Sequence, residues 1–552
     1  MPEATTLPPP RRVDGYAPIR DYAAIGDGRT VALVARDGSI DWLPFPSVDS
    51  PTVFGALLDA DRGGSFALAP DVPNEVTRRY LPGTNILETT FTTETGAVSV
   101  TDTMTVPAGG LVPLRELARE VKGLRGTVPL YWRVEPRFGY GAATMRVGRR
   151  RGIPVVEVGA DAVAVCSFEA GAAEIEEGSI SGRFEVGEGE IALIALCFAH
   201  LEPLVFPTRA EIESRIQETR KTWHRWNACS DYRGRWKDAV ERSGLALKLL
   251  FFAPTGAVAA APTTSLPEEI GGERNWDYRL SWVRDSAFTI EALLRVACAE
   301  EAEAFFWWLM QASQLTHPRL QVLYRLDGGP EAPERTLHLR GYRDSRPVRV
   351  GNAAVNQLQL EIYGSVLEAA SLYADAGRHI DRDVAKRLAG MADLVCEIWR
   401  LPDSGIWEVR SEPMHFTQSK MMCWVALDRA IKLAGLGHIP DGHADRWRRE
   451  ASAIREFIEA HCWSDRLGSY VRAAGKEELD ASILTGALFG YDDARQGRLS
   501  STVESIRRDL GRGPFLYRYL GEDGVSGREG TFLTCSFWLV EALVHAGRTT
   551  EA

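Results

Sequence analysis

Long apolar runs are missing from this 552-residue sequence: no stretch approaches the ~20 residues that span a bilayer, and residues 1–16, Pro-rich and polar, carry no secretion-signal core. The expectation is a cytoplasmic protein that does not enter a membrane. Cysteine is sparse and scattered. The eight (Cys166, Cys197, Cys229, Cys298, Cys396, Cys423, Cys462 and Cys535) fall mostly inside apolar runs with no CxxC pair, which argues against a disulfide framework or a zinc site. The ten histidines show no metal-ligand spacing. No metal or organic cofactor is expected. Basic excess is lacking too: 64 Lys and Arg stand against 75 Asp and Glu, for a net charge of −11. The one basic run, Arg149 to Arg151, is too short to hold nucleic acid and is expected on a solvated turn.

What is present is two kinds of periodicity. A chain of this length exceeds one compact core, so two domains, or one large all-helical barrel with an appendage, are expected. Up to about residue 200 the pattern is short and alternating. Residues 30–36 and 39–44 flank the hairpin signal Asp37-Gly38, and further strands are predicted over 85–93, 98–106, 128–134, 155–158, 162–168 and 190–198. This reads as an antiparallel β-sandwich over residues 1–205. Residues 206–231 read as a linker helix. From 232 to 552 the apolar spacing is helical, with segments predicted over 236–251, 287–299, 303–315, 357–376, 383–399, 419–434, 444–462, 481–489, 502–510 and 532–546. In one of these, Trp447, Ala451, Ile454, Phe457, Ile458 and His461 share a face. Helices in series without strands suggest a toroid of helical hairpins. The aromatic run Phe305 to Trp308 fits a core or a subunit contact, which leaves a homo-oligomer open.

The loops carry the unusual residues. Residues 271–288 pack Trp276, Tyr278 and Trp282 among Glu273, Arg274, Asp277, Arg279, Arg284 and Asp285. Aromatic faces stack on pyranose C–H bonds, and Arg and Asp supply the donors and acceptors that sugar hydroxyls require. Each residue alone has an ordinary structural role as a cap or a snorkelling side chain; the cluster does not. The long segment 316–356 is expected to be functional, and it holds Arg325, Asp327, Arg346, Arg349 and Asn352.

Two acids stand out at loop–helix junctions. Glu408 follows Ile406 and Trp407, neighbours that keep water away and favour the proton-bearing form a general acid needs. Glu529 lies between Gly527 and Gly530 at the start of the last helix, where backbone N–H groups and the helix dipole favour a charged base. Paired carboxyls in opposed environments are the equipment of glycoside hydrolysis.

These residues resemble glycoside hydrolase family 15, which includes glucoamylases, glucodextranases and trehalases. The resemblance runs along nearly the whole chain. Ile19-Arg20-Asp21-Tyr22, Asp37-Gly38-Ser39-Ile40-Asp41-Trp42 and Phe54-Gly55-Ala56-Leu57-Leu58-Asp59 are similar to the N-terminal domain of the bacterial trehalase-like branch. Arg274-Asn275-Trp276-Asp277-Tyr278-Arg279 with Trp282-Val283-Arg284-Asp285 resembles the family's sugar-pocket signature. Gly341-Tyr342-Arg343, the block from Arg346 to Asn352, Ser419-Lys420-Met421-Met422-Cys423-Trp424 and Leu479-Asp480-Ala481-Ser482 extend the match. Val409 follows Glu408 where fungal glucoamylases carry a second acid.

The resemblance implies a β-sandwich followed by an (α/α)6 helical barrel. It also implies an inverting, exo-acting hydrolase that releases β-glucose from the non-reducing end of a soluble α-glucoside, trehalose or a short α-gluco-oligosaccharide. Glu408 would be the general acid and Glu529 the general base, with Tyr278, Trp282, Arg284, Asp285, Arg346, Trp407 and Arg518 binding sugar. Two rivals stand beside this: a disaccharide phosphorylase of similar architecture, which needs no second carboxylate, and a catalytically silent sugar-binding protein.

Overall fold

Residues 39–44, Ser-Ile-Asp-Trp-Leu-Pro, are buried one and all. A strand dry on both faces must lie between other layers. The computed structural model describes residues 12–106, 114–296, 298–521, 523–525, 527 and 529–552. The Pro-rich start of the chain through residue 11, and Arg528 beside Glu529, lie outside the described residues.

The N-terminal half is an antiparallel β-sheet domain. Its strands are β1 (Ala23–Gly26), β2 (Val31–Val34), β3 (Ser39–Pro44), β4 (Thr52–Phe54), β5 (Phe66–Pro70), β6 (Asn74–Tyr80), β7 (Leu87–Thr93), β8 (Gly96–Met104), β9 (Arg115–Val134), β10 (Arg146–Arg150), β11 (Ile153–Val158), β12 (Asp161–Phe168), β13 (Glu174–Glu176), β14 (Ser179–Gly187) and β15 (Ile191–His200). The twenty residues of β9 serve two sheet portions. Its first half pairs with β8 and β15, its second with β5 and β14. Gly126, at φ 61°, sits at the junction, where a Cβ would come within 2.2 Å of the Thr95 carbonyl oxygen. Only glycine fits there. Ile25, Val34, Ile40 and Phe66 from one portion meet Leu87, Phe91, Val163 and Ile194 from the other in a shared core. The basic run is corrected in detail: Arg149 and Arg150 finish the exposed edge strand β10, and Arg151 alone enters the turn.

Helix α1 (Arg209–Asn227) links the domains, opened by a capping box between Thr208 and Glu211. There follow α2 (Lys237–Leu250), α3 (Ser286–Arg295), α4 (Ala299–Gln314), α5 (Glu361–Asp375), α6 (Arg382–Ile398), α7 (Thr417–Gly435), α8 (Ala444–His461), α9 (Thr485–Leu488), α10 (Gly497–Asp509) and α11 (Leu533–His545). The series alternates in burial. α5 and α7 are buried nearly all round, whereas α6 and α8 bury one stripe, in α8 Trp447, Ala451, Ile454 and Ile458. His461, the last residue of α8, keeps to that side with its ring 4.9 Å from that of Phe457, and is exposed because the helix ends there. α5 packs between α3 and α7, α9 touches both α7 and α11, and Phe288 of α3 stacks on Trp538 of α11 at 5.8 Å. On its other side α11 exposes Leu533, Phe537 and Val544. Phe305, Phe306 and Trp308 belong to the core, with Phe306 stacked 4.1 Å from Tyr373.

The two halves share one apolar core that contains Val31, Trp42 and Leu57 beside Leu245, Leu249 and Phe251. Polar ties cross it: Trp42 Nε1 donates to the Pro262 carbonyl at 2.9 Å, Tyr16 to Gly341 at 3.0 Å and Tyr342 to Ala17 at 3.1 Å. Among the described residues no helix is long and apolar enough to cross a membrane.

Candidate active site

The stretch from Arg274 to Arg279 is extended, and successive side chains therefore point to opposite sides. Arg274, Trp276 and Tyr278 line a cavity of about 750 Å³. Asn275, Asp277 and Arg279 turn the other way and are buried. Arg279 pairs with Asp277 at 2.8 Å and donates to the Ser50 carbonyl at 2.7 Å, tying this wall to the β domain. The alternation separates the residues that face a ligand from those that hold the wall.

The chain then turns into α3, whose N-cap position is Asp285. Arg284 Nε donates to Asp285 Oδ1 at 2.8 Å, and its terminal nitrogen Nη1 donates to the Ile406 carbonyl at 2.8 Å and to Glu408 Oε1 at 3.0 Å. Burial would lower the Arg284 pKa, but Asp285 and Glu408 outweigh it and hold the guanidinium charged. The same Glu408 oxygen accepts the Trp282 indole N–H at 2.6 Å. Among the described residues no hydrogen bond reaches Oε2.

Glu408 sits at φ 56°, a left-handed conformation that costs a non-glycine residue about 1–3 kcal/mol and is over-represented at functional sites. The turn that enforces it is anchored from behind. Asp403 Oδ2 accepts N–H bonds from Leu360 and Gly405 and the Ser419 hydroxyl at 2.8 Å. Next to it, at the first turn of α5, both oxygens of Glu361 are fully buried without a hydrogen-bond partner. Burial first, and then the Asp403 charge, pushes Glu361 up to about 8; burial raises Asp403 as well. Two adjoining buried carboxyls cannot both ionise cheaply.

A chain of alternating charges lines the same cavity. Arg274 pairs with Asp523 at 2.7 Å and with Glu529 Oε1 at 2.9 Å. Arg518 forks onto Glu529, Nε to Oε2 at 2.9 Å and Nη2 to Oε1 at 2.5 Å, and reaches Glu268 at 3.3 Å. Burial alone would raise Asp523, but hydrogen bonds from Arg274 and Tyr519 overcome it and bring it down to about 2. Glu268 is raised, by burial more than by the Glu529 charge, with Arg518 opposing.

Glu408, Glu529, Tyr278, Arg284, Asp285, Trp407 and Arg518 all line the one cavity. Trp407 is steered by its indole N–H, which donates to both Asp480 oxygens at 2.9 and 3.0 Å. Trp282 is corrected: it lies behind the cavity, 2% exposed, as a donor to Glu408. Arg346 is corrected too. It is exposed, donates to the Arg340 carbonyl at 3.2 Å and lies outside the cavity lining. Glu529 keeps its place with a different support, because α11 begins only at Leu533 and two guanidinia, not helix N–H groups, bind it. Glu408 likewise meets a cation and an indole N–H where its sequence neighbours suggest only apolar walls.

Arg274, Trp276, Glu268, Arg410 and Asp523 are further lining residues. Strand alternation over 274–279 carries a signal for the first two. Asp523 has none, since its partner Arg274 is 249 positions away.

The model of glycosyl hydrolases family 15 matches residues 234–551, and that of the trehalase-like N-terminal domain matches residues 14–173. A trehalase of Mycolicibacterium smegmatis is 38% identical over 97% of this chain and 84% of its own length. Trehalases of Mycobacterium tuberculosis and Thermoplasma volcanium are 37% and 33% identical, over 97% and 98% of this chain and 83% and 86% of theirs. With its family match spanning most of the chain and its carboxyls gathered in one cavity, this chain belongs to glycosyl hydrolases family 15 and is a glycoside hydrolase.

Proposed function

We propose that this chain hydrolyses trehalose by a single displacement that inverts the anomeric carbon, with the terminal glucose held at Arg284 and Asp285. The observation that carries the reading is the asymmetry of Glu408. Its Oε1 is occupied by two N–H donors, so an acidic proton belongs on Oε2, the oxygen left free at the cavity. Oε2 passes that proton to the glycosidic oxygen as the C–O bond breaks. The carboxylate left behind is stabilised by Trp282 and Arg284, which need no rearrangement. Glu529 draws a proton from a water on the opposite face of the ring, and the water oxygen bonds to the anomeric carbon. Inversion requires the two carboxyl groups to be roughly 6.5–9.5 Å apart. The fold is read with it as a β-sandwich over residues 1–205, a linker over 206–231 and an (α/α)6 barrel over 232–552.

The choice of trehalose rests on the named relatives and on the charged side chains among the aromatic ones that line the cavity, which suit a second hydroxylated ring. The test is proton NMR of the first turnovers. Inverting hydrolysis of trehalose releases α- and β-glucose in equal amounts, whereas two α-glucose molecules, or no cleavage, would overturn the reading.

The three charge-assisted bonds on Glu529 favour a second reading, in which it orients Arg274 and Arg518 and does not itself activate water. Azide rescue, described below, separates the two.

A further inference from the structure

Glu334 stands outside the cavity yet bridges two guanidinia. Its Oε1 lies 3.3 Å from Arg349 Nε, and its Oε2 accepts a hydrogen bond from Arg410 Nη2 at 2.8 Å. Both guanidinia rest on the Trp276 ring, at 4.4 Å for Arg349 and 4.3 Å for Arg410. Two cations on one indole repel each other, and the carboxylate between them makes the stack stable.

The two arginines are not equivalent. Arg349 is spent on the wall, since its Nη1 donates to the Glu273 and Asn275 carbonyls at 2.9 and 3.0 Å. Arg410 lines the cavity beside Trp276, and among the described residues its guanidinium makes a single hydrogen bond, the one to Glu334. Four of its five N–H donors remain open. Position supplies the rest of the argument. Arg284 grips the Ile406 carbonyl two residues before Glu408, and Arg410 follows two residues after it, its backbone N–H on the Asp523 carbonyl at 3.2 Å. The proposed general acid is thus held by Arg284 at Oε1 and followed within two residues by Arg410, and all three side chains line the same cavity.

We infer that Arg410, stacked on Trp276 and fixed by Glu334, is the specificity-determining residue for the leaving sugar, donating to hydroxyls of the ring beyond the scissile bond. Glu334 is its positioning residue and never touches substrate. This rests on the proposed hydrolysis with glucose at Arg284 and Asp285. It predicts selectivity for a hydroxylated aglycone over one that offers no acceptors.

The test compares trehalose with α-glucosyl fluoride, which has the same glucose and no second ring, on the full chain and on Arg410→Ala and Glu334→Gln. Loss of a charged hydrogen bond lowers kcat/KM for trehalose by about 10- to 100-fold, chiefly through KM. The fluoride should stay within roughly threefold of wild type, because it never meets Arg410. Should Arg410→Ala not fold, Arg410→Lys keeps charge but loses the fork and gives the same selective fall. Equal losses on both substrates, or an unchanged trehalose rate, overturn the inference. A wild-type chain that cleaves the fluoride and not trehalose overturns the substrate reading alone; the ratio is then taken with the glucosyl disaccharide it does cleave. A wild-type chain inactive on the fluoride and on every such disaccharide overturns both.

Discussion

Glu408 and Glu529 face one cavity from walls built on different principles. The Glu408 wall combines a single ion pair, to Arg284, with a left-handed turn, a buried indole donor, and an Asp403 carboxylate stapling Gly405 and Leu360. It engages one oxygen and spares the other. The Glu529 wall is fixed by charge, in the series Asp523, Arg274, Glu529, Arg518 and Glu268, and it engages both oxygens. A proton donor needs a free, precisely aimed oxygen, while a group that works as an anion profits from offsetting cations. The contrast supports the proposed acid role of Glu408, while the Glu529 wall fits either the proposed base or an anion that orients Arg274 and Arg518.

Breaking the comparison at its stronger side has the largest expected effect. Glu408→Gln keeps the shape and removes the proton, and steady-state assays with trehalose should lose about 10²–10⁴-fold in kcat. On the other wall, Glu529→Ala should also be severely impaired. If Glu529 is the base, added azide takes the place of water at the vacated position and restores turnover, forming β-glucosyl azide detectable by mass spectrometry and NMR. If no azide adduct forms and KM rises as Arg274 and Arg518 lose their partner, Glu529 is an orienting group and the base assignment falls.

The smallest effect sharpens the account of what lies behind Glu408. In the folded chain Glu361 keeps its proton up to about 8, while in the unfolded chain it ionises in the ordinary carboxylate range. This proton uptake stabilises the fold fully below the unfolded value, and the stabilisation drains away as pH rises toward 8. Glu361→Gln removes the titration. Its Tm relative to wild type should therefore climb between pH 5 and pH 8, by about 1 °C for each kcal/mol gained in a chain of this length. A difference in Tm that does not change with pH would show that Glu361 is not held protonated.

Periodicity made the long helices legible. The apolar spacing places helices at 419–434 and 444–462, and they lie at Thr417–Gly435 and Ala444–His461. Strands β6, β10 and β14 escape it, because charged edge residues such as Arg78, Arg79 and Arg150 blur the alternation. Within the site, local motifs pointed to Arg284, Asp285 and both acids. They could not assign Trp282 to the hidden side, which depends on a partner 126 positions away, nor reveal Glu361 and Asp403, which meet only through the packing of α5 against the 403–408 turn. Arg346 shows the opposite failure: a residue in a family-like block whose backbone course carries it out to solvent.

Glu408→Gln assayed on two leaving groups tests the central claim most directly. Fluoride departs without protonation and glucose does not, so the account predicts a loss of at least about 10²-fold on trehalose and little change on α-glucosyl fluoride. Equal losses on the two substrates would contradict Glu408 as the proton donor.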